Sequence, residues 1–179
     1  MINISLLSKI LLVSLFLLSS ITKTSEPATT LPETVELPLV GSSSLSVWFF
    51  DVYDITLKAP NGIYTAGHFP LNIELIYKRD ITAKQLVSET VKQWKRFNLD
   101  ESDVEAWAEL LAKLWPDVKS DDIISFYVDQ QKNTYFYFNE EFIGEIKQQG
   151  FADAFVCIWL DENGPYPKMT KELIGQKKS

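Results

Sequence analysis

Few side chains in this sequence have the type and spacing that catalysis or metal binding requires. Cys157 is the one cysteine and His68 the one histidine among 179 residues. The chain can therefore build neither a zinc site nor a disulfide framework from these two side chains, and a Cys-His or Ser-His-Asp triad is disfavoured. The sequence contains no glycine-rich phosphate loop, no H-E-x-x-H and no G-x-S-x-G. We assign no catalytic residue, no metal ligand and no cofactor on these grounds.

Three polar segments remain as candidates, each with a purely structural alternative. Asp51 lies in an apolar stretch between Phe50 and Val52, where its carboxylate would either reach solvent or titrate high because of desolvation. Arg79 follows a predicted strand and could bind a carboxylate in a bidentate fork or pair with a neighbouring Asp. Residues 41–44, Gly-Ser-Ser-Ser, could offer N–H and hydroxyl groups to an anion, although such a run is more often the turn that enters a strand.

The elements that must position these side chains follow from apolar periodicity. Aromatic and β-branched residues predict one long, bent strand over residues 45–58, joined as a hairpin to a second strand over residues 71–77. Capping-box pairs at Thr82/Gln85 and Ser102/Glu105 predict the starts of two helices. The remaining predicted elements, in order, are strands at 123–128, 134–138 and 142–146, a helix at 151–159 and a short helix at 169–174.

This order of elements predicts an α+β fold in which helices cover one face of an antiparallel sheet. The second helix carries Trp107 and Leu111 on its apolar stripe. Trp94, Trp115 and Trp159 occupy the neighbouring elements. These tryptophans could enclose an apolar cleft between sheet and helices, or they could simply fill the core.

The N-terminal residues have the pattern of an export signal. Residues 1–22 combine a basic Lys9, an apolar run and small residues up to Thr22. The apolar run is about half of the roughly 20 residues that a membrane-spanning helix needs, so we expect no stable span after cleavage, although a retained anchor helix is an alternative. Residues 23–36 are polar and predict a linker, which leaves residues 37–176 as the folded domain. A secreted, periplasmic protein is expected.

The net charge of −7 makes nucleic acid an unfavourable partner, because a chain this acidic offers no basic surface to a phosphate backbone. The sequence names no protein partner.

Several stretches of the domain stand in a characteristic order. They are the aromatic segment of residues 41–57, the strand end LIYKRD at 75–80, the segment 136–146, and the helical segment 151–161 followed by Pro167 and residues 173–175. Together they resemble the chalcone isomerase family, and more closely its secreted bacterial chalcone isomerase-like branch. The resemblance implies an open-faced β-sandwich, in which a long antiparallel sheet is covered by a helical layer with a ligand cleft between them. In this family, plant enzymes close a flavanone ring with the help of an arginine, a threonine and a tyrosine, whereas related plastid members bind fatty acids.

The sequence departs from that catalytic pattern. Residues 42–44 are serines where the enzymes have their arginine, Asp51 aligns near the threonine, and Trp107 aligns near the tyrosine. The loss of one such electrostatic donor typically costs roughly 10²–10³ in rate. We therefore carry over no catalytic residue, and chalcone isomerase activity is not expected.

Three functions stay open at this point. The first is an exported, non-catalytic protein that binds a small apolar or fatty-acid-like ligand in the cleft, with Arg79 as the cation for an acidic ligand. The second is an intramolecular lyase or isomerase that acts on an unknown carbonyl substrate, with Asp51 as the base. The third is an envelope scaffold protein with a vestigial cleft filled by its own tryptophans. The residues assigned to ligand binding are Phe50, Asp51, Arg79, Trp107 and Leu111.

Overall fold

A six-stranded antiparallel sheet and four helices make up the domain. The structure is a computed structural model, and it describes residues 36–176. The predicted signal peptide at 1–22 and nearly all of the predicted linker at 23–36 lie outside the described residues. The strands are β1 (Leu39–Val47), β2 (Phe50–Lys58), β3 (Leu71–Tyr77), β4 (Ile123–Val128), β5 (Thr134–Phe138) and β6 (Glu141–Ile146), and the helices are α1 (Ala83–Trp94), α2 (Glu101–Leu114), α3 (Phe151–Leu160) and α4 (Pro167–Leu173).

The sheet is a simple meander in which each strand pairs with the next along the chain, in the order β1 to β6. Alternate residues of β3, from Leu71 to Tyr77, are buried while those between them are partly exposed, as expected for a sheet with one covered face. The helices pack on the buried face. The predicted α+β architecture, with a helical layer over an antiparallel sheet, is confirmed.

The predicted long strand over residues 45–58 is wrong in one respect, because the chain reverses direction within it. β1 ends at Val47 and β2 begins at Phe50, so Trp48 and Phe49 form a tight turn in which Trp48 has φ 62°. Residues with positive φ in such turns are usually Gly, Asn or Asp, and a Trp-Phe pair therefore gives no turn signal. The new strand β1 includes residues 41–44, which are therefore not a turn that enters a strand.

The first predicted helix start is confirmed and the second is displaced. The Thr82 hydroxyl accepts from the Gln85 N–H while the Gln85 side chain accepts from the Thr82 N–H. In α2 the N-cap is Asp100, whose carboxylate accepts from the Ser102 N–H at 2.9 Å. The helix thus begins ahead of the predicted Ser102 cap, because the aspartate satisfies the free N–H groups first.

Within residues 36–176, no helix is both long and apolar enough to cross a bilayer.

Candidate functional site

An apolar cavity of about 380 Å³ lies between the sheet and the helical layer. Its volume falls within the range of roughly 300–1,000 Å³ that is typical of small-molecule sites. Most of its wall is aliphatic or aromatic, and the glutamine, glutamate and threonine side chains among the lining residues all come from α1. The lining residues are Leu45, Val47, Val52, Tyr53, Leu75, Tyr77, Ile81, Gln85, Leu86, Glu89, Thr90, Gln93, Trp115, Ile124, Phe126, Phe155, Ile158, Trp159, Tyr166 and Met169.

The sheet forms one wall of the cavity through the inward-facing residues of β1 to β4. Tyr53 of β2 pairs directly with Tyr77 of β3, and their rings meet edge to face with centroids 6.1 Å apart. A β-bulge lies beside them, because Leu45 pairs with Tyr53 while the next residue of β1 pairs with Asp51. Val52 is the extra residue, and it lines the cavity together with Tyr53. The bulge thus brings two consecutive side chains of one strand to the cavity, as bulges often do near binding sites.

Two tyrosines supply the polar atoms of the sheet wall. The Trp159 Nε1–H of α3 donates to the Tyr53 hydroxyl at 3.0 Å. Burial raises the pKa of Tyr53 and of Tyr77 well above the usual range, since the phenolate form would lose its hydration. Both side chains therefore stay neutral at physiological pH and offer hydroxyl groups rather than charge.

Trp115 provides a hydrogen-bond donor that is not used within the described residues. Its side chain lines the cavity and packs against Phe136 and Phe155. Its Nε1–H is buried, yet no acceptor lies within hydrogen-bond distance among residues 36–176. A buried donor without a partner costs about 1–3 kcal/mol, and because this atom has almost no accessible surface, it is not open to the cavity.

α1 forms the polar side of the cavity. Gln85, Glu89 and Gln93 are spaced four residues apart and so lie along one face of the helix. Leu86 and Thr90, both buried, lie beside that row. Glu89 is the one charged side chain that lines the cavity within the described part of the chain, and it is acidic.

The opening of the cavity lies between α1 and the β1–β2 hairpin. Among the lining residues, Gln85 and Glu89 of α1 and Val47 of β1 are solvent-exposed. Exposed lining residues mark the side from which solvent or a ligand enters. The entrance is therefore polar on the helix side and apolar on the hairpin side.

Aromatic side chains fill the part of the core beside the cavity. Trp94 is completely buried, and its Nε1–H donates to the Ala154 carbonyl at 3.1 Å. Trp94 also meets Trp107 and Phe151 edge to face, at centroid distances of 5.5 and 6.0 Å. The four buried tryptophans thus divide into two pairs: Trp94 and Trp107 fill the core, whereas Trp115 and Trp159 line the cavity.

The structure places none of the five residues assigned to ligand binding on the wall of this cavity. Trp107 and Leu111 are buried in the aromatic part of the core. Phe50 and Arg79 are exposed near the hairpin, with the guanidinium carbon 5.4 Å from the centre of the Phe50 ring. Asp51 is exposed and accepts from the Ser46 hydroxyl at 2.6 Å. Their part in ligand binding stays a prediction.

Sequence reasoning named two of the lining residues, Trp115 and Trp159, as possible walls of a cleft. It assigned none of the other lining residues to ligand binding, although a signal for some of them was present. The alternation in residues 71–77 already assigned Leu75 and Tyr77 to the buried face. The helical spacing of α1 likewise assigned Leu86. Side chains from distant elements meet to leave the empty space of the cavity. A local sequence pattern therefore does not predict which buried positions border it.

Comparison with known proteins places this architecture in a family. A family model described as chalcone isomerase-like matches residues 19–175. The chain belongs to the chalcone isomerase-like family. The predicted open-faced sandwich of this family is confirmed, since the chain resembles a solved fatty-acid binding protein of Arabidopsis thaliana with a TM-score of 0.62 and 12% identity, over 81% of this chain and 91% of that one. This chalcone isomerase-like chain is also 26% identical to an uncharacterized protein of Haemophilus influenzae over 140 residues, which are 78% of this chain and 69% of the relative.

Proposed function

We propose that this chalcone isomerase-like protein binds a small apolar or amphipathic ligand in the cavity between sheet and helices and performs no chemistry on it. The observation that carries the proposal is the cavity itself, which has the volume and the mainly apolar wall of a ligand site. The structural neighbour from Arabidopsis is a fatty-acid binding protein, which agrees with this proposal.

The cavity supports ligand binding over a scaffold with a vestigial cleft. In a vestigial cleft the tryptophans would occupy the space. Here Trp94 and Trp107 do so in the adjoining core, but Trp115 and Trp159 leave a cavity of about 380 Å³. Protein interiors normally contain few voids larger than a water molecule, so a cavity of this size favours a ligand site over a vestigial cleft.

The charges around the cavity support a role without catalysis. Isomerisation of a carbonyl substrate requires stabilisation of a developing negative charge. Among the lining residues, all within 36–176, none is Arg or Lys, and Glu89, whose carboxylate is paired with Lys92, supplies no stabilising positive charge. Tyr53 and Tyr77 are weak acids whose pKa burial raises further. Asp51, the base of the lyase alternative, is exposed at the hairpin and does not line the cavity.

The same charges define the ligand more closely. A carboxylate inside the cavity would meet no cation among the lining residues, since Lys92 beside the opening is already paired with Glu89, and a buried unpaired charge is costly. We therefore propose that the polar group of the ligand is uncharged when it enters, or that it stays at the opening beside Gln85 and Gln93. A fatty acid fits this site in its protonated form, and a neutral lipid-like molecule fits it without a pH requirement.

We also propose that the protein is exported through residues 1–22 and belongs to the secreted bacterial branch of the family. The support is the sequence pattern of that segment. The intact mass of the protein recovered from the periplasmic fraction tests this, since removal of the segment predicts a chain that begins near residue 23. A mass equal to that of the uncleaved chain would contradict the export proposal and favour a retained N-terminal segment.

Binding is tested with a variant that fills the cavity and a matched control on the same strand. The neutral dye Nile red serves as the probe, displaced by hexadecanol or hexadecanoic acid. Leu75→Trp adds volume on the cavity side of β3, whereas Ile76→Trp adds the same side chain on the opposite face. We expect Leu75→Trp to abolish dye binding and Ile76→Trp to retain it.

Thermal unfolding tests whether both variants are folded. This check is needed because overpacking of a core costs about 1–3 kcal/mol of stability. If Leu75→Trp does not fold, Leu45→Trp fills the same cavity from the half-buried edge strand β1. Unchanged dye binding in a folded cavity-filling variant would refute the proposed site.

A further inference from the structure

The turn between β1 and β2 carries the two most exposed large apolar side chains in the described part of the chain, and a third exposed ring follows at the start of β2. Trp48 is 89% exposed, Phe49 95% and Phe50 63%. Three consecutive aromatic residues at the tip of a projecting hairpin are unusual, because burying one such side chain is worth several kcal/mol. We name Trp48, Phe49 and Phe50 the aromatic tip.

The backbone at the aromatic tip also departs from what stability alone would favour. Trp48 has φ 62°, a left-handed conformation that costs a non-glycine residue roughly 1–2 kcal/mol. A Gly or Asn would relieve this cost and remove an exposed ring at the same time. A position that departs from two local rules together is typical of a functional site.

We propose that the aromatic tip docks on a lipid bilayer and inserts its rings at the membrane interface. Trp and other aromatic side chains are favoured at that interface, where their apolar rings leave water while their polar edges stay hydrated. The arrangement of the charges fits. The Arg79 guanidinium lies over the Phe50 ring and has no carboxylate partner among residues 36–176, so it can reach a lipid phosphate once the rings are inserted.

The size of the tip favours a bilayer over a protein partner. Three aromatic side chains bury about 450–750 Å² in total, at roughly 150–250 Å² each. A stable protein interface needs about 800 Å² from each partner, with surrounding contacts. The tip is flanked by polar and charged side chains, among them Ser46, Asp51 and Lys78, which do not extend the apolar area. A bilayer requires no shape complementarity, so a small apolar surface is enough for docking.

The aromatic tip is continuous with the entrance of the cavity. Val47, which lines the cavity, pairs directly with Phe50 across the turn, and directly paired residues lie on the same face of a sheet. An apolar path therefore leads from the tip to the cavity. Transfer of a poorly soluble ligand along this path rests on the proposed function, whereas docking of the tip does not.

The experiment uses the protein without residues 1–22, because the apolar run of that segment would itself bind vesicles. Vesicles of phosphatidylcholine and phosphatidylglycerol are used, and binding is measured by co-sedimentation. We expect Phe49→Ser to weaken vesicle binding about tenfold or more, the effect of withdrawing one buried phenyl ring. Leu39→Ser and Ile63→Ser are the matched controls, because these residues are also exposed apolar positions but lie away from the tip. Both controls should bind as the unaltered chain does.

A second readout reports on Trp48 itself. Brominated phosphatidylcholine quenches tryptophan fluorescence at close range, and the quenching should be lost in Trp48→Phe while vesicle binding persists. Vesicle binding that is equal in Phe49→Ser and the unaltered chain would assign membrane contact to another segment and overturn the proposal. Self-association that Phe49→Ser abolishes, seen by sedimentation velocity without vesicle binding, would also overturn it, in favour of a second copy of the chain. Cavity binding of Nile red is scored separately, so failure of one proposal leaves the other measurable.

Discussion

Gly41 of β1 lies against the end of α4, and a methyl group added there would collide with the helix backbone. A Cβ at Gly41 would stand 2.3 Å from the Glu172 carbonyl oxygen and 2.6 Å from that of Leu173, whereas ordinary contact begins at 3.4 Å. β1 and α4 would have to separate by roughly 1 Å. The contact bears on the site, because Met169 of α4 lines the cavity.

The expected effect of Gly41→Ala is a loss of stability. Overpacking costs about 1–3 kcal/mol. The lower entropy of the unfolded chain with Ala in place of Gly offsets about 0.4–1 kcal/mol of that cost. The steric term is the larger one, and the obstacle is backbone rather than a flexible side chain. A net loss of about 1–2 kcal/mol corresponds to a fall in Tm of about 2–8 °C for a chain of this size.

Thermal unfolding followed by circular dichroism measures this change, with Ser42→Ala as the control. Ser42 is the next residue of β1 and is exposed, so its replacement should leave Tm within about 1 °C. Hydrogen exchange adds a local readout, since the amides of α4 should lose protection in Gly41→Ala before those of β3 and β4. A Tm equal to or above that of the unaltered chain, with α4 still protected, would refute the close packing of Gly41 against α4.

Three further predictions follow from the cavity. Trp159→Phe removes the hydrogen-bond donor to Tyr53 and should lower the free energy of unfolding in urea by about 1–3 kcal/mol. The same substitution should cost less when Tyr53→Phe has already removed the acceptor. Burial raises the pKa of Tyr53 and Tyr77, so the folded state keeps their protons at a pH at which the unfolded state releases them. The stabilisation from these two groups should be fully present below about pH 10. Above about pH 10, the free energy of unfolding should fall by up to about 1.4 kcal/mol per pH unit for each tyrosine. Hexadecanoic acid should bind more tightly at pH 5 than at pH 8, because its carboxylate form meets no free cation among the lining residues. Glu89→Gln should reduce the difference, since it removes an acidic charge and frees Lys92 from its ion pair.

Each of these has a control. Strict additivity of the two single substitutions in the Trp159 and Tyr53 cycle would mean that the hydrogen bond contributes nothing measurable. Tyr53→Phe should flatten the stability profile above pH 10, and an unaltered profile would contradict the burial of that phenol. Hexadecanol serves as the pH-independent reference for the acid, and equal pH dependence of both ligands would contradict the electrostatic argument.

Much of the fold could be predicted from the sequence, because its determinants are local. The alternation over residues 71–77 assigned β3 and its buried face, and the Thr82/Gln85 pair assigned the start of α1, both as observed. The failures are local as well. The turn at Trp48 and Phe49 has no turn residues, so one strand was predicted where two exist. Asp100 rather than Ser102 caps α2 because two neighbouring residues can both accept from the helix start.

The sequence by itself determined the fold class, membership of the family and the order of the elements apart from the division of the first strand into β1 and β2. Periodicity and caps act over a few residues, and the order of motifs is retained along the chain. Only the tertiary structure decided which apolar residues border the cavity. Trp107 and Trp115 belong to one stretch of sequence and both face inward, yet the first fills the core against Trp94 and the second lines the cavity. The difference arises because empty space is the property of several elements packed together, here β1 to β4 with α1, α3 and α4, and no single element encodes it.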